Sequence, residues 1–397
     1  MNILMAWELG GGLGHTLPLG CIGTQLEAKG HTISYALRNP KTAEILKFNP
    51  DTQIFPAPVM GVQKPNLPAA YDYADLLLIR DYENAVRLDS KIDAWFRIFE
   101  EVQPDQLVAD YAPCARLAAH IAGIPSHTMG NGFLVPPFCN PLHPFRGGRE
   151  PDALLQQNIE MRLDKTINAT LKRYGKHDVD RAIDIFIGGS RFIRTVEELD
   201  AYQNRKGEKY YGSITQASGC LDPVWPIAEG PRVFVYLAPG GPFLPLVCAG
   251  LRRMGISTLV FAGSQAASQL SSVVGPTINF TKEPVDISKL AGRCDLVINH
   301  GGNGTLAGGL AQGIPVLIKP HHIEQIMTCA NVQKYGLGKM LPGKIEEDHF
   351  VQTVKSILDD EVMHENVKAF AIKYQSLTSE GVSASIATVI DAADYSE

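Results

Sequence analysis

The sequence predicts an α/β protein built on two parallel sheets, each with helices on both faces. One unit recurs, an apolar helix that ends at a glycine and runs at once into a short strand: AKGHTISYAL, IAGIPSHTM, RMGISTLVFA, AQGIPVLI and KYGLGKML. Gly30, Gly123, Gly255, Gly313 and Gly336 stand where a helix C-terminus takes a left-handed residue. Repeats of this kind require parallel strands joined by helical crossovers. The units fall into two groups, before Met129 and after Val233, parted by polar, proline-bearing text, and 397 residues suffice for two cores. The expected organisation is a first domain over 1–214, a linker over 215–230, a second domain over 231–379 and a terminal helix over 380–397.

In chain order, Asn2 to Leu9 reads as a buried strand, followed by Gly10, Gly11, Gly12, Leu13, Gly14 and His15 and then a helix. A dinucleotide fingerprint fails here. Counting GxGxxG from Gly10 puts His15 at the third glycine, and the next strand ends in Arg38 rather than an acid. Arg80 to Val102 carries apolar residues at helical spacing. Gln106 to Asp110 is a strand that ends in an acid, on the edge of the sheet where ligands bind. Five prolines between Asn131 and Pro151 preclude regular structure, and the Phe133 and Phe138 rings of this long loop are candidates to line a binding site. Ile183 to Ile187, then Phe192 and Ile193, read as the last strands of the first domain. The second domain opens with Arg232 to Leu237, and a glycine-rich turn, Pro239 to Pro242, precedes its first helix.

The stretch around which the rest is organised is DLVINHGGNGTLAGGLAQGIPVLIKPHHIEQ, Asp295 to Gln325. A strand runs into His300, Gly301, Gly302, Asn303, Gly304 and Thr305, and a helix follows. Helix N-terminal amides present donors and partial positive charge, so this turn is a seat for a phosphate, with the His300 ring and the Thr305 hydroxyl as further donors. The plain alternative is a tight turn around a satisfied histidine. The next strand, Val316 to Ile318, leads into Glu324 and Gln325, an acid-amide pair suited to a polyhydroxylated group.

Composition narrows the classes. A net charge of −6 carries no basic footprint for nucleic acid. No apolar run reaches bilayer length, and no basic leader opens the chain. Seven scattered cysteines without CxxC spacing argue against zinc and against a disulfide framework, and fit a reducing cytoplasm.

HGGNGT followed by PHHIEQ, together with the early GHTLP, resembles the UDP-glycosyltransferase-like enzymes of the GT-B fold, of the bacterial natural-product or macrolide type. The resemblance implies two Rossmann-like domains facing across a cleft and a last helix packed back on the first domain. It implies inverting transfer of a sugar from a dTDP- or UDP-sugar to a hydroxyl of a small, apolar acceptor, without metal or bound cofactor. His15 would be the base and Asp110 its support. Gly14, Gly240, His300, Gly301, Gly302, Asn303, Gly304, Thr305, Glu324 and Gln325 would hold the nucleotide-sugar, and Phe133 and Phe138 the acceptor. Where the family's signature usually has a ribose-binding glutamate this chain has Gly308, which favours a deoxyribose donor. The competing readings are a peptidoglycan-type GlcNAc transferase with a lipid-linked acceptor, a nucleotide-sugar epimerase, and a non-catalytic nucleotide-sugar-binding auxiliary protein.

Overall fold

A computed structural model of the chain describes residues 1–60, 69–145, 152–203, 205–215, 220–227, 229–237, 243–262 and 275–393. The chain divides into two compact units: unit 1 is Met1–Arg194, Tyr202–Gly212 and Glu380–Glu397, and unit 2 is Thr195–Ala201 and Ser213–Ser379.

Unit 1 holds the strands β1 (Asn2–Trp7), β2 (Thr32–Leu37), β3 (Ile54–Pro56), β4 (Gln106–Asp110), β5 (Ser126–Gly130) and β6 (Ser190–Ile193), all parallel, in the order β3-β2-β1-β4-β5-β6. The order reverses direction between β1 and β4, whose last residues, Trp7 and Asp110, lie opposite each other. Connections leave these two strands towards opposite sides of the sheet, which opens a crevice at their carboxyl ends.

Unit 2 repeats the plan with β7 (Arg232–Tyr236), β8 (Ser257–Phe261), β9 (Ile278–Thr281), β10 (Leu296–Asn299), β11 (Val316–Ile318) and β12 (Gly338–Met340), in the order β12-β11-β10-β7-β8-β9. Its reversal lies between β7 and β10, where Tyr236 is opposite Asn299. Side chains alternate between two cores, as strand geometry demands. Val233, Val235 and Ile298 pack with Phe350 and Val354 on one face; Phe234, Val297 and Val316 pack with Leu306, Leu310 and Val332 on the other. The five glycines that end the recurring helices have φ between 61° and 89°.

Several elements differ from expectation. Ile183–Ile187 is a helical turn and not a strand; Ile183, Ile185, Phe186 and Ile187 are all buried, and a short run buried on every side has no period from which to tell helix from strand. The expected helix from Arg80 is broken at Asp81 (φ 73°) and starts afresh at Ala85, where the Asn84 side chain accepts the Arg87 amide at 3.1 Å. The expected linker, in its described residues, is fastened to unit 2. Leu221 bridges Val285, Asn279 donates to the Val224 carbonyl at 3.1 Å, and Ser257 donates to that of Pro226 at 3.3 Å. Thr195–Ala201, expected within the first domain, belongs to unit 2 because Val196 and Leu199 are buried in that unit's core. Among the described residues no helix is long and apolar enough to cross a membrane.

Candidate active site

In unit 1 the chain after β1 turns through Gly10–Gly12 into the helix Leu13–Glu27, and His15 lies in the first turn of that helix. Its ring stacks on Trp7 at 5.2 Å between centroids, with Tyr111 tilted against it at 6.2 Å. Nδ1 is 2.9 Å from Oδ1 of Asp110, the last residue of β4. A carboxylate oxygen accepts from an imidazole N–H, so this contact favours the tautomer with the proton on Nδ1, in which Nε2 is the acceptor of the neutral ring. Tyr111, next after Asp110, is held at φ 51°, and its carbonyl accepts the Leu9 amide at 3.0 Å, tying the ends of β1 and β4 together. A non-glycine residue in that region marks strain that the surroundings hold in place.

Gly10 explains one of the three consecutive glycines. A Cβ there would lie 2.4 Å from His15 Nε2, and its φ is 84°. Gly10→Ala is expected to push the imidazole off its station and to cost about 1 kcal/mol for the left-handed backbone. Turnover should fall at least tenfold with only a small drop in melting temperature. Steady-state kinetics beside a thermal melt checks this, and unchanged turnover would mean that Nε2 is not the working atom.

Arg194, the residue after β6, completes the group by placing Nη2 2.6 Å from Asp110 Oδ2. Glu8, the residue after Trp7, is fully buried, with its two oxygens accepting the Cys114 and Ala115 amides at 3.0 and 2.5 Å. Those amides open the helix Pro113–Ala122, which follows directly on Asp110 and Tyr111. Burial raises the Glu8 carboxyl to about 8, against the pull of those hydrogen bonds, so it is protonated at neutral pH. Sequence reasoning missed both residues, although an acid or a base at the carboxyl end of a parallel strand was the available signal.

In unit 2, β10 ends at Asn299, whose side chain accepts the Gly301 amide at 2.6 Å and so folds the turn. Gly301 has φ 88°, and a Cβ there would meet Ile318 at 3.1 Å and Gln325 at 3.2 Å. Gly302 caps the helix Asn303–Ala311 without a side-chain hydrogen bond, and Thr305 is buried in its first turn. Burial pushes the His300 ring down to about 4, so it is neutral, and Tyr236 meets it edge-on at 5.1 Å.

The remaining expected residues fall as follows. Gly14 lies within the first turn of the His15 helix, facing open space. Asn303 donates to the Ser213 hydroxyl at 3.3 Å, and Gly304 has open space where a Cβ would be. Gln325 Oε1 accepts the His321 amide at 2.7 Å, so its carbonyl is committed to holding the loop, and Glu324 lies 4.0 Å from His322 Nδ1. Phe133 is only 4% exposed and packs on Phe145 at 4.7 Å; Phe138 is 56% exposed. Gly240 lies outside the described residues. Among the described residues no three His, Cys, Asp or Glu side chains are grouped to share a metal ion.

Residues 259–393 match the family described as erythromycin biosynthesis protein CIII-like, C-terminal domain. The matched segment spans most of unit 2, including the glycine-rich turn. Over the full length, the fold is GT-B, with two parallel-sheet Rossmann-like domains. The crystal structure of the kitacinnamycin glycotransferase superposes with a TM-score of 0.71 at 18% identity, covering 98% of both chains. The spinosyn rhamnosyltransferase SpnG, complexed with thymidine diphosphate, superposes with a TM-score of 0.68 at 16% identity, covering 98% of this chain and 100% of that one. A PGL/p-HBAD biosynthesis rhamnosyltransferase of Mycobacterium bovis (strain BCG / Pasteur 1173P2) is 23% identical over 274 residues, 63% of this chain; the alignment spans 59% of that relative's length. An uncharacterized glycosyltransferase of Methanosarcina acetivorans is 22% identical over 382 residues, covering 92% of each.

Proposed function

We propose that the chain is an inverting glycosyltransferase that moves a sugar from a dTDP- or UDP-sugar to a hydroxyl of a small, apolar acceptor. The observation that carries this reading is the His15–Asp110 pair at 2.9 Å, at the carboxyl ends of adjacent parallel strands and beside Gly10, where a Cβ would crowd Nε2. Nε2 takes the proton of the acceptor hydroxyl as its oxygen forms the bond to the anomeric carbon, and the bond from that carbon to the diphosphate oxygen breaks on the opposite face. The imidazolium is stabilised by Asp110. In unit 2 the amides at the start of Asn303–Ala311, with Thr305 and neutral His300, take up the charge that develops on the diphosphate, so no metal is required. The low charge and scattered cysteines support a cytoplasmic location.

Two of the similar structures, SpnG and VinC, are complexes with thymidine diphosphate. For this chain, Gly308 supports the same preference, and the structure supplies a further reason. Gly308 is buried, and a Cβ there would lie 2.9 Å from Ile287 Cγ2, so a ribose-binding carboxylate has no room until Ile287 gives way. A thermal-shift panel of UDP, dTDP, GDP and their sugars tests the reading, since a ligand at a hundred times its Kd stabilises by about 2.7 kcal/mol. Expected is a shift with dTDP at least as large as with UDP. Gly308→Glu alone should lower the melting temperature, and Gly308→Glu combined with Ile287→Ala should move the preference towards UDP. A shift with UDP and none with dTDP overturns the donor assignment; no shift with any nucleotide overturns the transferase reading.

A further inference from the structure

Asp110, the buried carboxylate paired with His15, has a second partner in Arg194. Asp110 is completely buried. Its Oδ1 faces His15 Nδ1 at 2.9 Å and its Oδ2 faces Arg194 Nη2 at 2.6 Å. A carboxylate can rotate about its Cβ–Cγ bond, and a bond to one oxygen alone would leave the other free to swing towards the imidazole at another angle. With both oxygens engaged from opposite sides, the plane of the carboxylate is fixed. Arg194 is itself held: it is 3% exposed, and its backbone amide donates to the Gly130 carbonyl at 2.7 Å, continuing the pairing of β6 with β5.

We propose that Arg194 is the positioning residue of the site, which clamps Asp110 through Oδ2 so that Oδ1 holds the His15 Nδ1 proton and presents Nε2 to the acceptor. The guanidinium has a second effect. Without a cation, a fully buried carboxylate would be shielded only by a neutral imidazole, a poor match for a charge taken out of water. Arg194 sets the opposite charge directly at Oδ2. The residue acts through Asp110 and touches no substrate. This inference rests on the reading of His15 as the base, but its central claim concerns the hydrogen bond at Nδ1 and can be read without turnover.

The experiment uses the full chain with ¹⁵N-labelled histidine. A carboxylate-bound Nδ1 proton shielded from water gives a downfield, slowly exchanging resonance, assigned to His15 by its absence in His15→Gln. Arg194→Gln is expected to lose that resonance to exchange with water and to lower kcat by at least tenfold with the KM for the donor unchanged; Arg194→Lys should restore both in part. A thermal melt shows whether each variant is folded, and if Arg194→Gln does not fold, Arg194→Lys decides, with a weakened but detectable resonance expected. Persistence of the resonance at its wild-type exchange rate in a folded Arg194 variant overturns the proposal, whatever the activity. Loss of the resonance with no transferase activity in any form, wild type included, leaves the clamp standing and removes the catalytic reading of His15 instead.

Discussion

His15→Ala is expected to lower turnover by about 10²–10⁴-fold, the size of a general-base contribution, while the affinity for the donor nucleotide stays nearly unchanged. The separation follows from where the parts lie. His15 belongs to the first turn of a helix in unit 1, and the expected diphosphate seat is the start of Asn303–Ala311 in unit 2. Alanine keeps the helix, since His15 makes no cap there, and removes the imidazole bonded to Asp110. Calorimetry with the donor nucleotide, paired with steady-state kinetics, reads both quantities on the same preparation. Unchanged turnover would take His15 out of the mechanism. A parallel loss of donor binding would mean that the ring serves the donor instead of the acceptor.

The second large effect concerns stability against pH and comes from Glu8, whose carboxyl is raised from the ordinary range to about 8 by full burial. Below about pH 4.5 the folded and unfolded chains both hold this proton. Between there and pH 8 only the folded chain holds it, so stability is lost as pH rises, by about 1.4 kcal/mol per unit, until the folded carboxyl ionises. Other groups act in the same range: burial lifts Asp72 to about 6, and His127 and His300 fall to about 4, which costs stability on the acid side. The wild-type curve therefore mixes several titrations. The difference between wild type and Glu8→Gln isolates one. Glutamine sets an NH₂ against the Cys114 amide, an offset that does not change with pH. Relative to wild type, Glu8→Gln should gain on the order of 4 kcal/mol between pH 4.5 and 8. Urea unfolding at several pH values measures it, and a flat difference would show that Glu8 is charged in the folded protein.

The parts of the fold legible in the sequence are those in which local chemistry repeats. The helix-glycine-strand text shows both sheets because each crossover must end its helix with a left-handed residue, and Gly30 or Gly313 does so visibly. Ile183–Ile187 was not legible because its partners are distant in sequence and its own residues carry no period. The same limit explains the site. His15 and Asp110 stand out against glycine and apolar neighbours, and they meet, whereas Glu8 sits inside NILMAWEL as one acid in a strand-like run. Arg194 lies one residue past a strand of only four residues, Ser190–Ile193. Its value comes from a partner 84 positions away, and no spacing rule spans that. Phe133 shows the converse: an aromatic in a proline-rich loop reads as a binding surface until its packing on Phe145 is known.

Arg194 is followed at once by Thr195, where the chain leaves unit 1; it returns at Tyr202, leaves again at Ser213 and comes back at Glu380. The short excursion is well anchored, with Glu198 accepting from Lys373 at 2.6 Å and from Tyr374 at 2.5 Å. The terminal helix is fastened just as firmly to unit 1, where Asp391 takes hydrogen bonds from Lys29 and His31, each at 3.0 Å. Modularity is therefore not linear in this molecule. An exchange of halves between related enzymes, cut at one point in the old linker region, would transplant unit 2 without the peptide that fills part of its core and would leave unit 1 with a foreign tail. A graft that respects the physics carries Thr195–Ala201 with unit 2 and Glu380 onward with unit 1. The gene would need five segments, joined at four points, where a single crossover looks sufficient, and recombination libraries built on one breakpoint are expected to be poor in folded members.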